Sequence, residues 1–315
     1  MDTPLAPEAL AAAKSAPDVL KVLMIGNSFS ICVLKDLPGL VASVPGKRLL
    51  LESCYIGGCP LRRHWQNVVD GQSDPALAPY AIDVALTGSG PDVARAEKRY
   101  GNILQEIPAL PWDVVTIQQA SHESWDYANY QPFAADLIAH IKKHAPQAEI
   151  VIQQTWAYRA DDPRLRPGGE WGFDQAGMHE RLRAAYGRLA AETGFRVIPT
   201  GEAVRLTRER EPKPFQAYPP ELLEQLRWPD LPAQAGDVVG QCWWGKNEET
   251  GEMFVGRDSI HLNPRGEYLQ GCVWFDALFG IPAGGIPYVS PRVGKSDAAF
   301  LQQCAADAVR AQAGK

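Results

Sequence analysis

Apolar runs that lack polar alternation constrain this chain more than any other feature. Val22, Leu23, Met24 and Ile25 follow one another without a polar break, the pattern of a central strand covered on both faces. Similar runs recur in RLLLES (48–53), DVVTIQ (113–118), EIVIQ (149–153) and FRVIP (195–199). Between them lie helix-like segments such as PFAADLIAHIKKHAP and DQAGMHERLRAAYGRLAAETG. This alternation specifies right-handed βαβ crossovers and a parallel sheet with helices on both faces. The predicted fold class is α/β, a three-layer α/β/α sandwich around a central, about five-stranded parallel sheet. Ligands in such folds bind beyond the carboxyl ends of the strands, where strand order reverses. The first run, as the central strand, would end there.

Composition narrows the function classes. With 315 residues, 45% of them hydrophobic, the chain can bury a full core as one large domain with insertions. A net charge of −6 and the lack of any Lys/Arg cluster argue against nucleic acid as a partner. No apolar run approaches the roughly 18 residues that span a bilayer, so no membrane partner is expected. The start, MDTPLAPEALAAAKSAPD, has no basic segment leading into an apolar one and reads as a flexible leader, not a signal peptide. The compartment stays open: cytoplasmic if Met1 is native, periplasmic or secreted if Met1 replaces a trimmed signal. The oligomeric state is equally open.

The cysteines at 32, 54, 59, 242, 272 and 304 have no zinc-site spacing, although their even count leaves disulfides possible. Cys272 falls in an apolar helical pattern and is expected in the core. His140 and His144 have metal-compatible i, i+4 spacing but no nearby carboxylate, and are expected on a solvated helix end. No metal site and no cofactor are predicted.

The run at 21–25 breaks on Gly26, Asn27 and Ser28, a strand-to-helix turn. Ser28 or Asn27 could simply cap the helix, because both accept hydrogen bonds from unpaired N–H groups there. Alternatively, Ser28 is a nucleophile at a helix N-terminus, where backbone N–H groups stabilise an oxyanion. That role needs a base. In GRDSIHLNPRGEYLQGCVWFDALFG, Asn263 and Pro264 form a helix N-cap and first-turn pair and Gly280 a stop. Asp258 and His261 would therefore lie in a loop ahead of that helix, close enough for the carboxylate to hold one imidazole nitrogen.

These residues resemble the SGNH or GDSL-like hydrolases. The first block of that family carries the nucleophilic serine after the first strand, here GNSFS, and the last carries DxxH, here DSIH, before the final helix. The second block supplies a glycine N–H, and IGGCPLRRHW (56–65) is similar to the GGxxL pattern of sialate O-acetylesterase-like members. The resemblance spans residues 21–280. It implies Ser28 as nucleophile, His261 as general base, Asp258 as its orienter, and the Ser28 backbone with Gly58 or Gly57 as oxyanion donors. The third block departs from the family's usual GxND, since the chain has IQQASHES (117–124). A Gln amide can donate as an Asn amide does, so Gln118 or Gln119 is the candidate third donor. Either could instead tie loops together.

Asn27 beside the nucleophile is assigned to substrate binding. Aromatics recur after the strand ends: Trp65, Trp125 with Tyr127, Trp156 with Tyr158, and Trp243 with Trp244 before DSIH. Of these, Trp65, Trp125, Trp156, Tyr158 and Trp244 are expected to form a substrate rim, although Trp rings also serve to pack long loops. With Arg62, Arg63 and Arg159 nearby, such a rim suits sugar rings. The expected partner is therefore an acylated saccharide, and the expected activity removal of acetyl or another short acyl group from it. A lipase or thioesterase acting on longer chains, or a non-catalytic carbohydrate-binding relative, remains an alternative. The expected organisation is a leader (1–18), a hydrolase domain (19–282) with loop insertions at about 66–110 and 211–256, and a C-terminal extension with a helix (283–315).

Overall fold

The computed structural model of the protein describes residues 2–87, 93–165, 168–219 and 221–314. In chain order the first half contains strands β1 (Asp2–Pro4), β2 (Leu20–Gly26), β3 (Leu49–Tyr55), β4 (Tyr80–Thr87), β5 (Val93–Arg95), β6 (Arg99–Gly101), β7 (Val114–Ile117) and β8 (Glu149–Gln153). Helices α1 (Pro7–Ser15), α2 (Ser28–Ile31), α3 (Leu37–Ala42), α4 (Leu61–Ser73), α5 (Ile103–Ala109) and α6 (Phe133–His144) connect them. The second half adds α7 (Gln175–Thr193), β9 (Val197–Ile198), α8 (Thr200–Arg210), α9 (Glu221–Gln225), β10 (Val239–Lys246), β11 (Met253–Leu262), α10 (Pro264–Phe279) and α11 (Lys295–Ala313).

The five apolar runs form one parallel block. β2 pairs in parallel with β3 on one side and β7 on the other, and β8 and β9 continue the block outward. Val22 to Ile25 are buried, as two-faced covering requires. Because β3 and β7 flank β2, chain progression reverses direction at β2, and Ser28 follows its carboxyl end.

Among the described residues the sheet grows beyond that block to nine strands, four more than the sequence reading expects. β4 pairs antiparallel with β3, and β5 and β6 both pair with β4. Those strands, with α4 and α5, occupy the 66–110 segment expected as a loop insertion. Its run AIDVALT alternates too little to stand out from a buried loop. The leader is also ordered, since β1 pairs in parallel with β5 and α1 buries Ala13. Residues 211–256, the other expected insertion, hold α9 and β10. Asp258 and His261 lie not in a free loop but on β11, in a two-stranded antiparallel ribbon outside the main sheet. The C-terminal extension folds back as α11 along α10 and α8.

All six cysteines are free thiols, and Cys272 is in the core. His140 departs from expectation: it is buried, with its ring beside His144 and edge-on to Trp65, and burial lowers its pKa to about 4. The α4 and α6 faces that meet there explain the difference, because Trp65 covers the helix end. Among the described residues no helix is long and apolar enough to cross a membrane.

A charged cluster sits under β3. Glu52 and Glu106 are both buried, and Arg99 binds Glu106 through two hydrogen bonds while reaching Glu52 at 3.3 Å. Burial, then the neighbouring Glu106, pushes the Glu52 carboxyl well above the ordinary carboxylate range. The folded chain therefore keeps a proton on Glu52 that the unfolded chain releases near pH ~4.3. Between that pH and the folded-state value of about 8 the folded state binds more protons, so stability falls as pH rises. Glu52→Gln retains the shape and a donor without the charge. We expect its melting temperature to exceed that of wild type by several degrees at about pH 9, and the gap to shrink at about pH 5. Calorimetry at the two pH values checks this, and a gap of equal size at both would overturn the assignment.

Candidate active site

Ser28 is presented by a turn that begins at Gly26. A Cβ on Gly26 would lie 2.2 Å from Ser30 Oγ and 3.0 Å from Ser30 Cβ, so Ser30 would have to shift to admit a side chain. Asn27 is the helix N-cap, its Oδ1 accepting from Phe29 N–H at 3.0 Å, which makes Ser28 the first helical residue. The same Asn27 donates from Nδ2 to the Cys59 carbonyl at 3.1 Å, and Ile56 N–H donates to Gly26 at 3.2 Å. These bonds hold the Ile56–Cys59 turn against the serine turn. Within it Gly58 has φ +59, a conformation that favours glycine. Neither the Ser28 N–H nor the Gly58 N–H has a partner among the described residues.

His261 reaches Ser28 from the ribbon. Its Nε2 lies 2.8 Å from Ser28 Oγ and its Nδ1 2.7 Å from Asp258 Oδ2. Asp258 Oδ1 accepts from the Ile260 and His261 N–H groups at 2.8 and 2.9 Å. Burial would raise the pKa of Asp258, but the hydrogen bonds from the His261 ring and from these backbone groups outweigh it and bring the value to about 2. An ionised carboxylate only accepts hydrogen bonds, so Nδ1 carries the proton and Nε2 presents its lone pair to the serine hydroxyl.

An irregular ribbon produces this geometry. Val239 pairs with Leu262 and Gln241 with Asp258, so residues 259–261 face Gly240 alone. The surplus bends β11 and turns His261 back over Asp258. Gly240, at φ +82, leaves room for the guanidinium of Arg159, which its Cβ would meet at 2.9 Å.

Several residues predicted for substrate contact have other positions. Trp156 is fully buried, stacks on Phe29 at 4.2 Å, and donates from Nε1 to the Ile260 carbonyl at 2.9 Å. Tyr158 is buried with its hydroxyl 2.8 Å from Ser121 Oγ. Arg159 is buried and clamps Asp161 at 2.6 and 3.0 Å. Trp65 packs on His140, Trp125 packs on Trp171 and Phe173, and Tyr127 lies beside Tyr130 under Arg188. Arg62 pairs with Glu123, whereas Arg63 stays exposed. Trp244 donates to the Asp230 carbonyl at 2.9 Å, while Trp243 remains exposed. Asn27 is buried and serves the turn itself. The expected rim is thus largely loop packing, because large aromatics at strand ends fill space beneath the crossing loops.

The two glutamines differ from each other. Gln119 accepts from the Leu61 and Ala120 N–H groups at 2.9 and 2.8 Å and donates to the Asn129 carbonyl at 2.8 Å. Its amide ties loops together. Gln118, also buried, donates to Asn27 Oδ1 at 2.5 Å and so braces the serine turn rather than facing the cavity. Sequence reasoning missed two further amides: Gln153 and Gln270 both donate to the Phe29 carbonyl, at 2.7 and 2.8 Å. A polar residue ending an otherwise apolar strand was the available signal, since Gln153 ends β8 much as Gln118 follows β7.

Ser28 and His261 open into a cavity of about 570 Å³ that also takes in Ile31, Cys32, Lys35, Arg95, Lys98 and Gln241. A larger groove of about 880 Å³ between α7, α10 and α11 is lined by none of Ser28, Asp258 and His261.

Residues 21–211 match the profile of DUF4886, described as a domain of unknown function. The crystal structure of a DUF4886 family protein from Bacteroides uniformis superposes with a TM-score of 0.69 at 25% identity, covering 93% of this chain and 95% of that one. Remote likenesses include a candidate SGNH hydrolase from Slackia heliotrinireducens (TM-score 0.45, 18% identity, 82% and 99% covered). Another is phospholipase A1 from Streptomyces albidoflavus (TM-score 0.39, 11% identity, 82% and 98% covered). Curated protein sequences gave no match. With a profile spanning more than half of its length and a solved member aligned over nearly all of it, the chain belongs to the DUF4886 family.

Proposed function

We propose that the protein is a serine ester hydrolase that removes acetyl or another short acyl group from a carbohydrate. The unbroken hydrogen-bond chain from Asp258 through His261 to Ser28, at the carboxyl end of the central strand, carries the reading. Ser28 Oγ attacks the ester carbonyl while His261 Nε2 takes its proton. The tetrahedral oxyanion accepts hydrogen bonds from the Ser28 and Gly58 N–H groups, which have no competing partner among the described residues. His261 then protonates the departing alkoxide, and a water deprotonated by the same nitrogen cleaves the acyl-serine to carboxylate and free serine. Gln118 acts through Asn27 as a positioning residue. The charged lining of Lys35, Asp83, Arg95, Lys98 and Glu267 favours a hydroxyl-rich alcohol and a short acyl group over a long alkyl chain.

Intact-mass analysis after fluorophosphonate treatment should show one adduct on wild type and none on Ser28→Ala, because only an activated serine reacts with such electrophiles. An adduct that persists on Ser28→Ala would sink the assignment.

His261→Ala should lower kcat on p-nitrophenyl acetate by roughly 10⁴–10⁶, and Asp258→Asn by a smaller factor of about 10²–10⁴, since the carboxylate orients the imidazole and transfers no proton. Stopped assays with purified, folded variants measure both. A His261→Ala rate equal to wild type would remove the base from the mechanism.

A further inference from the structure

The ribbon that brings Asp258 and His261 to Ser28 also carries exposed aromatic surface, and its register orders that surface. Gln241 pairs with Asp258, Trp243 with Gly256, and Gly245 with Phe254. Residues two apart on a strand share a face, and directly paired residues do too. One face therefore presents, in sequence from the cavity outward, Gln241 with Asp258, then Trp243, then Phe254. Gln241 itself lines the cavity of Ser28. The opposite face turns inward at Cys242, which is buried.

Both aromatic rings lie across glycines. A Cβ on Gly256 would fall 2.5 Å from the Trp243 ring, and one on Gly245 would fall 2.6 Å from the Phe254 ring. The glycines let each ring settle flat against the opposite strand. Yet Trp243 is 44% exposed and Phe254 50% exposed, so each ring keeps an open face. At about 3.4 Å per residue, the four steps along the strand from Asp258 to Phe254 span about 14 Å.

We infer that this face is a saccharide-binding track leading into the catalytic cavity, with Trp243 and Phe254 as stacking subsites for successive sugar rings. The inference rests on the ester-hydrolase reading above. Flat, open aromatic faces present negative π density to the weakly positive C–H face of a pyranose. The track is continuous with the cavity, so a chain stacked on it delivers an acylated sugar to Ser28. The tip of the ribbon favours a sugar chain over a lipid surface. It is exposed and acidic at Glu248, Glu249 and Glu252, which repel anionic membranes, and these carboxylates flank the exposed Met253 there. The aromatics lie along the side of the ribbon, where a linear polymer fits.

Affinity electrophoresis of full-length Ser28→Ala through gels containing acetylated xylan, acetylated mannan or acetylated pectin reads binding without turnover. Retardation is expected with at least one polymer. Adding Trp243→Ala or Phe254→Ala should weaken the apparent Kd about tenfold, and Trp243→Tyr should restore most of it. In the active protein, Trp243→Ala should lower the ratio of kcat/KM on the retarding polymer to kcat/KM on p-nitrophenyl acetate by about tenfold. No retardation by any of the three polymers, retardation unchanged by both Ala variants, or Trp243-dependent binding to phosphatidylcholine vesicles would each overturn the track. Failure of the ester-hydrolase reading registers elsewhere, as a missing fluorophosphonate adduct on Ser28, and leaves the binding measurement intact.

Discussion

The contact between Phe29 and Trp156 is the one on which the rest of the site depends. Phe29 follows Ser28 in chain order, and its ring stacks on Trp156 at 4.2 Å. The same indole donates to the Ile260 carbonyl, one residue before His261. A single buried side chain thus fixes both the helix that carries the hydroxyl and the strand that carries the imidazole. Stacking of this kind adds about 0.5–1.5 kcal/mol beyond the area it buries. Its larger consequence is geometric, since catalysis by proton transfer tolerates little error in the serine-to-imidazole distance.

Buried amides do the remaining positioning. Gln153 and Gln270 converge on the Phe29 carbonyl, Gln118 on Asn27, and Asn27 on the Ile56–Cys59 turn. Each amide sits at the end of a strand or on α10, where the main-chain ladder no longer satisfies the surrounding groups. The arrangement replaces water by fixed donors around a short helix that contributes little stability of its own. Among the described residues it also leaves the Ser28 and Gly58 N–H groups without a partner, because the side chains nearby bond elsewhere.

The parallel block was legible because each of its strands is covered on both faces and therefore apolar without alternation. Ser28, Asp258 and His261 were legible because special backbone surrounds them: Gly26 before the serine, Asn263 and Pro264 after the histidine. The antiparallel edge was not, since β4 carries Asp83 and small residues in a run that a loop could equally contain. Nor was the ribbon, whose bulge depends on pairing between β10 and β11 that no local pattern encodes. The aromatic rim misled for a physical reason. Trp156 and Tyr158 sit at a strand end, as substrate-binding groups do, but large rings there also fill the space beneath crossing loops, and only burial tells the two apart. Trp243 was seen but not placed, because where its ring lies depends on pairing with Gly256 on the opposite strand.

The ribbon stands apart from the nine-stranded sheet, and two-stranded hairpins are marginal by themselves. It is moored at its base by the Asn263 amide on the Asp237 and Gly240 carbonyls, by Trp156, and by Arg159 N–H on the Ser259 carbonyl at 2.8 Å. None of the ladder bonds of β2, β3, β7 or β8 runs through it. Local opening at these moorings therefore withdraws His261 and Asp258 from Ser28 while the sheet stays paired. Separation of the His261–Asp258 pair from Ser28 and loss of the sheet are thus distinct events in such a molecule.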